Sequence, residues 1–258
     1  MDKKITLEIC CGDIDSVGAA LSGGADRIEL CCGLECGGLT PSAGMIEQAL
    51  WKSRRKMDPV PVNVLVRPRS GDFLYSDKEL TLCRQDAAFA VGNGVDGIVF
   101  GALTSDGDID DYACSEVLEA IAKSASPGQK VSTTFHRAFD LCRDPFEALE
   151  KIIALGFDRI LTSGQSASAP EGLSLLRELA ERAGTRISIM PGGGVTSANI
   201  REIADTTGVK EIHASAKEAK KSRMTFRREG IGMGGADTDE YSRFETSAAI
   251  VAELKNAL

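Results

Sequence analysis

The chain lacks the features of a membrane protein and of a protein that binds nucleic acid over a broad surface. Its apolar runs all fall short of the roughly 18 residues that a membrane-spanning helix needs. Its net charge is −8 at pH 7, and its basic clusters, at 52–56 and 227–228, are short enough to be solvated faces. We therefore predict no membrane span and no nucleic-acid partner.

The chain also has little that resembles a secretory leader. Its first eleven residues look like a signal peptide only briefly, because Glu8 interrupts an apolar stretch that is already too short. We predict a cytoplasmic protein whose eight cysteines are free thiols, since disulfide frameworks are typical of secreted chains. No Cys-x-x-Cys motif is present, so cysteine spacing alone gives only a weak indication of a metal site.

No dinucleotide-binding Gly-x-Gly-x-x-Gly follows the first predicted strand, which counts against an open doubly wound sheet. Instead, eight short β-branched segments alternate with eight helical patterns, and eight such units close into a barrel. We predict an α/β fold, a single-domain (β/α)8 TIM-type barrel over residues 1–258. The predicted strands are Ile5–Cys10, Arg27–Cys31, Val60–Val66, Gly97–Phe100, Val131–His136, Arg159–Thr162, Ile187–Met190 and Glu211–Ala214.

The longest irregular stretch, Lys217–Asp239, follows the eighth predicted strand. Loops of that length inside a compact domain are usually functional, so we predict a lid or an interface there. A last helix is expected near Glu240–Ala257.

Side chains alternate along a strand, which separates residues facing the barrel interior from residues facing the helices. In the first strand this alternation turns Glu8 and Cys10 inward, because the apolar residues occupy the other parity. The second strand repeats the pattern with Glu29 and Cys31. Two adjacent strands are thus predicted to present a carboxylate and, two residues later, a thiol to the interior.

Other polar residues fall at the carboxyl-terminal ends of strands, where the active sites of barrel enzymes lie. Arg67 is predicted to point inward from the third strand, and the only histidines, His136 and His213, end the fifth and eighth. Two buried carboxylates are costly unless compensated, and Arg67, Arg69 or Arg137 could compensate them. The pattern favours a ligand site over a purely structural ion network. The candidate catalytic residues are Glu8, Glu29, Arg67 and His136.

Three consecutive glycines follow the seventh strand, and Ser215 follows the eighth. Backbone amides in a glycine turn, with a helix start behind them, can bind phosphate or another anion. A tight turn that simply needs glycine is the alternative. The candidate anion-binding residues are Arg69, Gly192, Gly193, Gly194 and Ser215.

The inward thiols allow a metal site as well. Adjacent strands lie about 4.8 Å apart, close to twice a metal–sulfur bond of roughly 2.3 Å. Cys10 and Cys31 could therefore hold one low-coordinate ion, and Cu(I) is the ion that prefers thiolates. Inward layers alternate between neighbouring strands, however, so the two sulfurs can be staggered in height.

Several longer motifs resemble the CutC copper-homeostasis family, and they cover nearly the whole chain in order. They are EIC at 8–10, GADRIELC at 24–31, GGLTPS at 37–42, RPRSGDFLYSD at 67–77, TFHRAFD at 134–140, LTSGQ at 161–165, MPGGG at 190–194 and EYS at 240–242. The sequence departs from the family at Ser70, where glycine is usual, and Cys11, Cys32 and Cys36 look like additions.

The resemblance implies a cytoplasmic TIM-type barrel that is usually a homo-oligomer, here a dimer or tetramer, and that handles copper. It makes Cys10 and Cys31 the candidate Cu(I) ligands and copper the expected metal. An enzyme remains the alternative, because the polar rim looks richer than a metal carrier needs. Such an enzyme would act on a small anionic substrate, phosphorylated or sugar-like, with the carboxylates, His136 and the arginines as its machinery. A third possibility is a structural oligomer with a vestigial site.

Overall fold

The computed structural model describes residues 5–228, 230–233 and 239–258. Eight parallel strands alternate with helices and form one sheet in the order β7-β6-β5-β4-β3-β2-β1-β8. The end strands β7 and β8 contact each other, so the barrel is nearly closed, as predicted. The strands are β1 (Thr6–Cys11), β2 (Arg27–Leu30), β3 (Val62–Leu65), β4 (Gly97–Phe100), β5 (Ser132–Phe135), β6 (Arg159–Thr162), β7 (Ser188–Pro191) and β8 (Glu211–Ala214).

The helices pack around the outside of this sheet, and several of them are bounded by recognisable caps. Asp13 caps the first helix, and Ser76 with Glu79 forms a capping box on the third. Gly24 and Gly156 end the first and fifth in the left-handed conformation. The helices are α1 (Ile14–Gly23), α2 (Ala43–Arg54), α3 (Asp77–Gly92), α4 (Asp111–Ser124), α5 (Pro145–Leu155), α6 (Leu173–Ala183), α7 (Ile200–Thr207) and α8 (Ala248–Ala257).

The buried side chains divide into two groups that follow the strand alternation. The larger group, which includes Leu7, Ile9, Ile28 and Leu30, lies between the sheet and the helices. The smaller group lies inside the barrel and consists of Cys10, Cys31, Leu65 and Val99, with Leu34 packed against it. Cys10 and Cys31 therefore face the barrel interior, as the alternation of side chains along β1 and β2 predicts.

The segment after β8 differs from the expectation. Lys217–Lys221 forms a strand, β9, which pairs antiparallel with β10 (Ser242–Thr246). The last helix therefore begins at Ala248 and not near Glu240, because residues 242–246 extend to complete this hairpin. Positions 229 and 234–238 of the predicted loop lie outside the described residues. Within the described ranges, no helix is long and apolar enough to cross a membrane.

Candidate functional site

A cavity of about 730 Å³ opens at the carboxyl-terminal ends of the barrel strands. Its lining comes from the ends of β1, β2 and β8 and from the loops after β3, β5 and β7, the usual position of a barrel active site. The polar residues around it include Cys10, Glu29, Arg67, His136, Arg137, His213, Ser215, Lys217 and Glu253.

Glu8 lies beneath this cavity, fully buried, and holds two partners. The Arg27 guanidinium forms an ion pair with Glu8 Oε2, while His213 Nδ1 lies 2.7 Å from Glu8 Oε1. Burial alone would raise the pKa of Glu8, but Arg27 and the hydrogen bond from His213 outweigh it and lower the pKa to about 2. Glu8 is therefore an ionised carboxylate that positions two other side chains.

The ion pair of Glu8 belongs to a larger buried network inside the barrel. Arg27 also pairs with Glu211, and Arg159 Nε lies 3.0 Å from the same Glu211 carboxylate. Two arginines and two glutamates compensate one another, so the network carries no net charge. Arg27, and not Arg67, Arg69 or Arg137, is thus the residue that neutralises Glu8, because it lies beside Glu8 in the register of β1 with β2.

Glu29 lies beside Cys10 in the same register, at the floor of the cavity, and is 5 % exposed. Its closest positively charged neighbour in the described chain is His213, whose Nε2 lies 3.8 Å from Glu29 Oε2. Burial raises the pKa of Glu29. Burial alone would lower the pKa of His213. The charge of Glu29 and the hydrogen bonds that His213 makes with Cys10 and Glu8 outweigh burial and raise this pKa well above its usual value. His213 therefore bridges the two inward carboxylates.

The two inward thiols are in direct contact, with Cys10 Sγ 3.5 Å from Cys31 Sγ. The contact with Cys31 and burial raise the pKa of Cys10 well above its ordinary value. Cys31 is fully buried and its contact with Cys10 favours the thiolate, but burial and Glu29 outweigh this and raise the pKa of Cys31. Both thiols therefore have to release protons to a metal ion that binds them.

The sulfur separation tests whether this pair fits an ion. With metal–sulfur bonds of about 2.3 Å, sulfurs 3.5 Å apart subtend an angle of about 100° at the metal. An ion bound linearly by the two sulfurs alone would require the sulfurs to move apart by about 1 Å, to about 4.6 Å. The present separation therefore fits an ion that has three or four ligands. Linear coordination by the two sulfurs would need a small adjustment of the side chains.

His136 follows β5 and packs against Phe73, with ring centroids 4.8 Å apart. Its Nδ1 accepts a hydrogen bond from the Ala138 backbone N–H at 3.2 Å, so in the neutral ring the proton is on Nε2. Burial, reinforced by the charge of Arg67, lowers the pKa of His136 to about 3. In this state the ring can donate one hydrogen bond and has no lone pair available to act as a general base.

Arg67 and Arg69, both predicted to belong to the site, lie in different environments. Arg67 is 6 % exposed, lines the cavity, and donates to the carbonyls of Cys36, Gly38 and Gly71. Arg69 pairs with carboxylates outside the cavity, which it does not line. The chain leaves the strand direction after Leu65, so strand alternation no longer describes the position of Arg69.

The glycine turn also lies at the cavity, but only in part. Gly193 and Gly194 line it with positive φ angles of 94° and 71°, which favour glycine. Gly192 N–H instead donates to Thr162 O at 3.0 Å, so this amide is already used within the barrel. Helix α7 begins only at Ile200, so its N-terminus is not directly behind the turn. Arg137 and Ser215 line the cavity as well, and Arg137 pairs with Asp140 and Ser163.

Comparison with known proteins gives a consistent family. The sequence model of the CutC family matches residues 5–218. A CutC family protein of Vibrio vulnificus is 50 % identical over 235 residues, which is 91 % of this chain and 90 % of that protein. A human protein named copper homeostasis protein cutC homolog is 44 % identical over 249 residues, covering 96 % of this chain and 87 % of that protein.

Solved structures give the same result for the fold. A CutC protein from Streptococcus agalactiae superposes with a TM-score of 0.75 at 36 % identity, over 82 % of this chain and 98 % of that one. Thiamine phosphate pyrophosphorylase from Pyrococcus furiosus superposes with a TM-score of 0.56 at 17 % identity, over 99 % of this chain and 96 % of that one. At that identity the second likeness supports the barrel fold alone.

Proposed function

Because the chain belongs to the CutC family, we propose that it takes part in copper homeostasis by binding Cu(I) through the thiolates of Cys10 and Cys31. The observation that carries this proposal is the 3.5 Å contact between the two sulfurs, of which that of Cys10 belongs to a residue lining the cavity. The proposal includes a cytoplasmic location, where thiols stay reduced.

The surroundings of the pair suit a soft ion. Leu65 and Val99 pack against the two cysteines inside the barrel, and Leu34 adds a partly buried apolar side chain. Cu(I) prefers polarisable sulfur to oxygen, and an apolar wall excludes water that would compete for it. Cys10 also lines the cavity, which gives an ion a route to the pair.

The experiment is an anaerobic Cu(I) titration against a competing chelator. We expect the Cys10→Ser, Cys31→Ser double variant to lose at least tenfold in Cu(I) affinity, since both sulfur donors are removed. A Cys32→Ser, Cys36→Ser double variant controls for binding to the more accessible thiols and should keep wild-type affinity. Unchanged affinity in the first variant would remove Cys10 and Cys31 from the site.

A second function, binding or conversion of a small anion, is supported by a different observation. The cavity of about 730 Å³ is of the size that holds an organic ligand, far larger than one ion requires. Arg67, Arg137 and the turn at Gly193–Gly194 line it. A phosphorylated or sugar-like anion would find positive charge and backbone amides there.

Thermal-shift measurements with inorganic phosphate and a panel of sugar phosphates test this second function. A ligand at about 100 times its dissociation constant stabilises the folded state by about 2.7 kcal/mol. We expect Arg137→Gln to reduce the shift, and Arg69→Gln, which removes an arginine outside the cavity, to leave it unchanged. Equal shifts in the two variants would count against the site.

A further inference from the structure

We propose that Cys10, Glu29 and His213 form a binding site for a divalent ion of the Zn²⁺ class, distinct from the thiolate pair. Their ligand atoms lie within 4.8 Å of one another, and all three residues line the cavity. The three come from adjacent strands, because β2 and β8 both pair with β1. This site shares Cys10 with the proposed Cu(I) pair but does not depend on Cu(I) binding.

The donor set and its spacing suit a tetrahedral ion. Sulfur, imidazole nitrogen and carboxylate oxygen are the ligands that Zn²⁺ takes in proteins, with bonds of about 2.0–2.3 Å. In a tetrahedral arrangement such bonds place neighbouring ligand atoms about 3.3–3.8 Å apart. His213 Nε2 and Glu29 Oε2 lie 3.8 Å apart, so they can reach one ion with a shift of a few tenths of an ångström. The fourth position would be left for water or a ligand.

The orientation of His213 is an independent observation that points to the same site. Glu8 Oε1 lies 2.7 Å from His213 Nδ1, which fixes the ring and directs Nε2 toward Glu29. Histidines that bind metals characteristically donate their second ring N–H to a carboxylate, which fixes the tautomer. Glu8 is fully buried and cannot reorient freely, because Arg27 holds its other oxygen. Glu8 is thus a positioning residue for the imidazole.

The charges in the barrel are balanced for a divalent ion. Glu8 and Glu211 are compensated by Arg27 and Arg159, as described above. With His213 neutral, the remaining Glu29 carboxylate and Cys10 thiolate supply two negative charges, which match an ion of charge two. The Cys10 and imidazole protons leave to solvent when the ion binds, so binding is measured at neutral pH or above.

Cys31 distinguishes this site from the Cu(I) pair. Its sulfur contacts Cys10 and the Cys11 carbonyl, and Cys31 does not line the cavity. Cys10 therefore lies between an apolar side with Cys31 and a polar side with Glu29 and His213. Removing Cys31 should weaken Cu(I) binding alone, whereas removing His213 should weaken binding of the divalent ion alone.

The test is an anaerobic titration of the full chain with Co²⁺, followed by displacement with Zn²⁺. Thiolate ligation gives Co²⁺ a charge-transfer absorption band that reports the bond to sulfur. We expect the band in the wild type and in Cys31→Ser, and its loss in Cys10→Ser. His213→Ala and Glu29→Gln should each weaken Co²⁺ binding at least tenfold, and Glu8→Gln about 10–100-fold through the imidazole.

Two controls keep the result decisive. Glu253→Gln changes a carboxylate that lines the same cavity outside the cluster, and it should leave Co²⁺ affinity unchanged. His213→Gln serves as a second variant if His213→Ala fails to give the wild-type circular dichroism spectrum. The proposal is overturned if no band forms, if the band survives in Cys10→Ser, or if Cys31→Ser removes it while His213 variants do not. A wild-type protein that gives the Co²⁺ band but binds no Cu(I) would reject the copper site alone.

Discussion

The burial of His136 makes the stability of the barrel depend on pH. The ring is 5 % exposed and packs against Phe73. This burial, together with the nearby charge of Arg67, lowers the pKa of His136 to about 3. An unfolded chain would hold the same histidine at a pKa near 6.5. Between pH 6.5 and about 3 the unfolded state therefore binds one proton that the folded state does not bind at this residue.

The sign and size of the effect follow from this difference. Stability rises with pH wherever the unfolded state binds more protons, so the contribution of His136 is lost as pH falls below 6.5. One proton difference corresponds to about 1.4 kcal/mol per pH unit, which gives a loss of about 3 kcal/mol at pH 4.5. This is a substantial part of the 5–15 kcal/mol that is typical of folded domains, as an order of magnitude.

Urea denaturation of wild type and His136→Asn between pH 4 and 7 measures the effect. Asparagine can still accept the hydrogen bond from the Ala138 N–H but does not titrate. We expect the difference in unfolding free energy between the two proteins to change by about 1.4 kcal/mol per pH unit below pH 6.5. Phe157→Leu, a loss of aromatic packing without a titratable group, should show no such slope relative to wild type. A difference independent of pH would refute a neutral, desolvated His136.

Two further predictions concern the ion network and the assembly. Glu8→Gln should lower the free energy of unfolding by about 3 kcal/mol, because it removes one partner of a buried ion pair. Urea denaturation at pH 7 checks this against the exposed Glu253→Gln, and a loss below about 1 kcal/mol would contradict it. Light scattering should give the mass of a dimer or tetramer, whereas a mass of 27.3 kDa would be that of one chain.

The fold and half of the site follow from local patterns in the sequence. Apolar residues at alternate positions of β1 and β2 were sufficient to turn Glu8, Cys10, Glu29 and Cys31 inward. The same parity includes Arg27, two residues before Glu29, and extending the alternation by one step would have identified the partner of Glu8. The sequence places His213 at a strand end, but its role depends on β8 pairing with β1, which brings together segments from opposite ends of the chain.

The errors fall where the chain leaves regular structure. Strand alternation cannot describe Arg69, because the chain turns after Leu65 and its guanidinium meets Glu79 at the start of α3. The segment 242–246 has no strong strand pattern of its own and extends because Lys217–Lys221 lies beside it. Strand pairing between distant segments is decided by tertiary contacts that a local pattern does not contain.

The layering of the barrel interior separates residues that maintain the fold from residues that can bind. Glu8 lies in register with Arg27 and His213, and both of its carboxylate oxygens are taken by these two partners, whereas His213 also reaches the cavity. Cys10 and Glu29 lie in register one step nearer the cavity, where their donor atoms face open space. Glu8, two residues before Cys10 on β1, thus maintains the fold, whereas Glu29 on β2 is available to an ion. Substitutions of Glu8 and Arg27 should change stability first, and substitutions of Cys10 and Glu29 should change ion binding first, because Cys10 and Glu29 line the cavity and Glu8 and Arg27 do not.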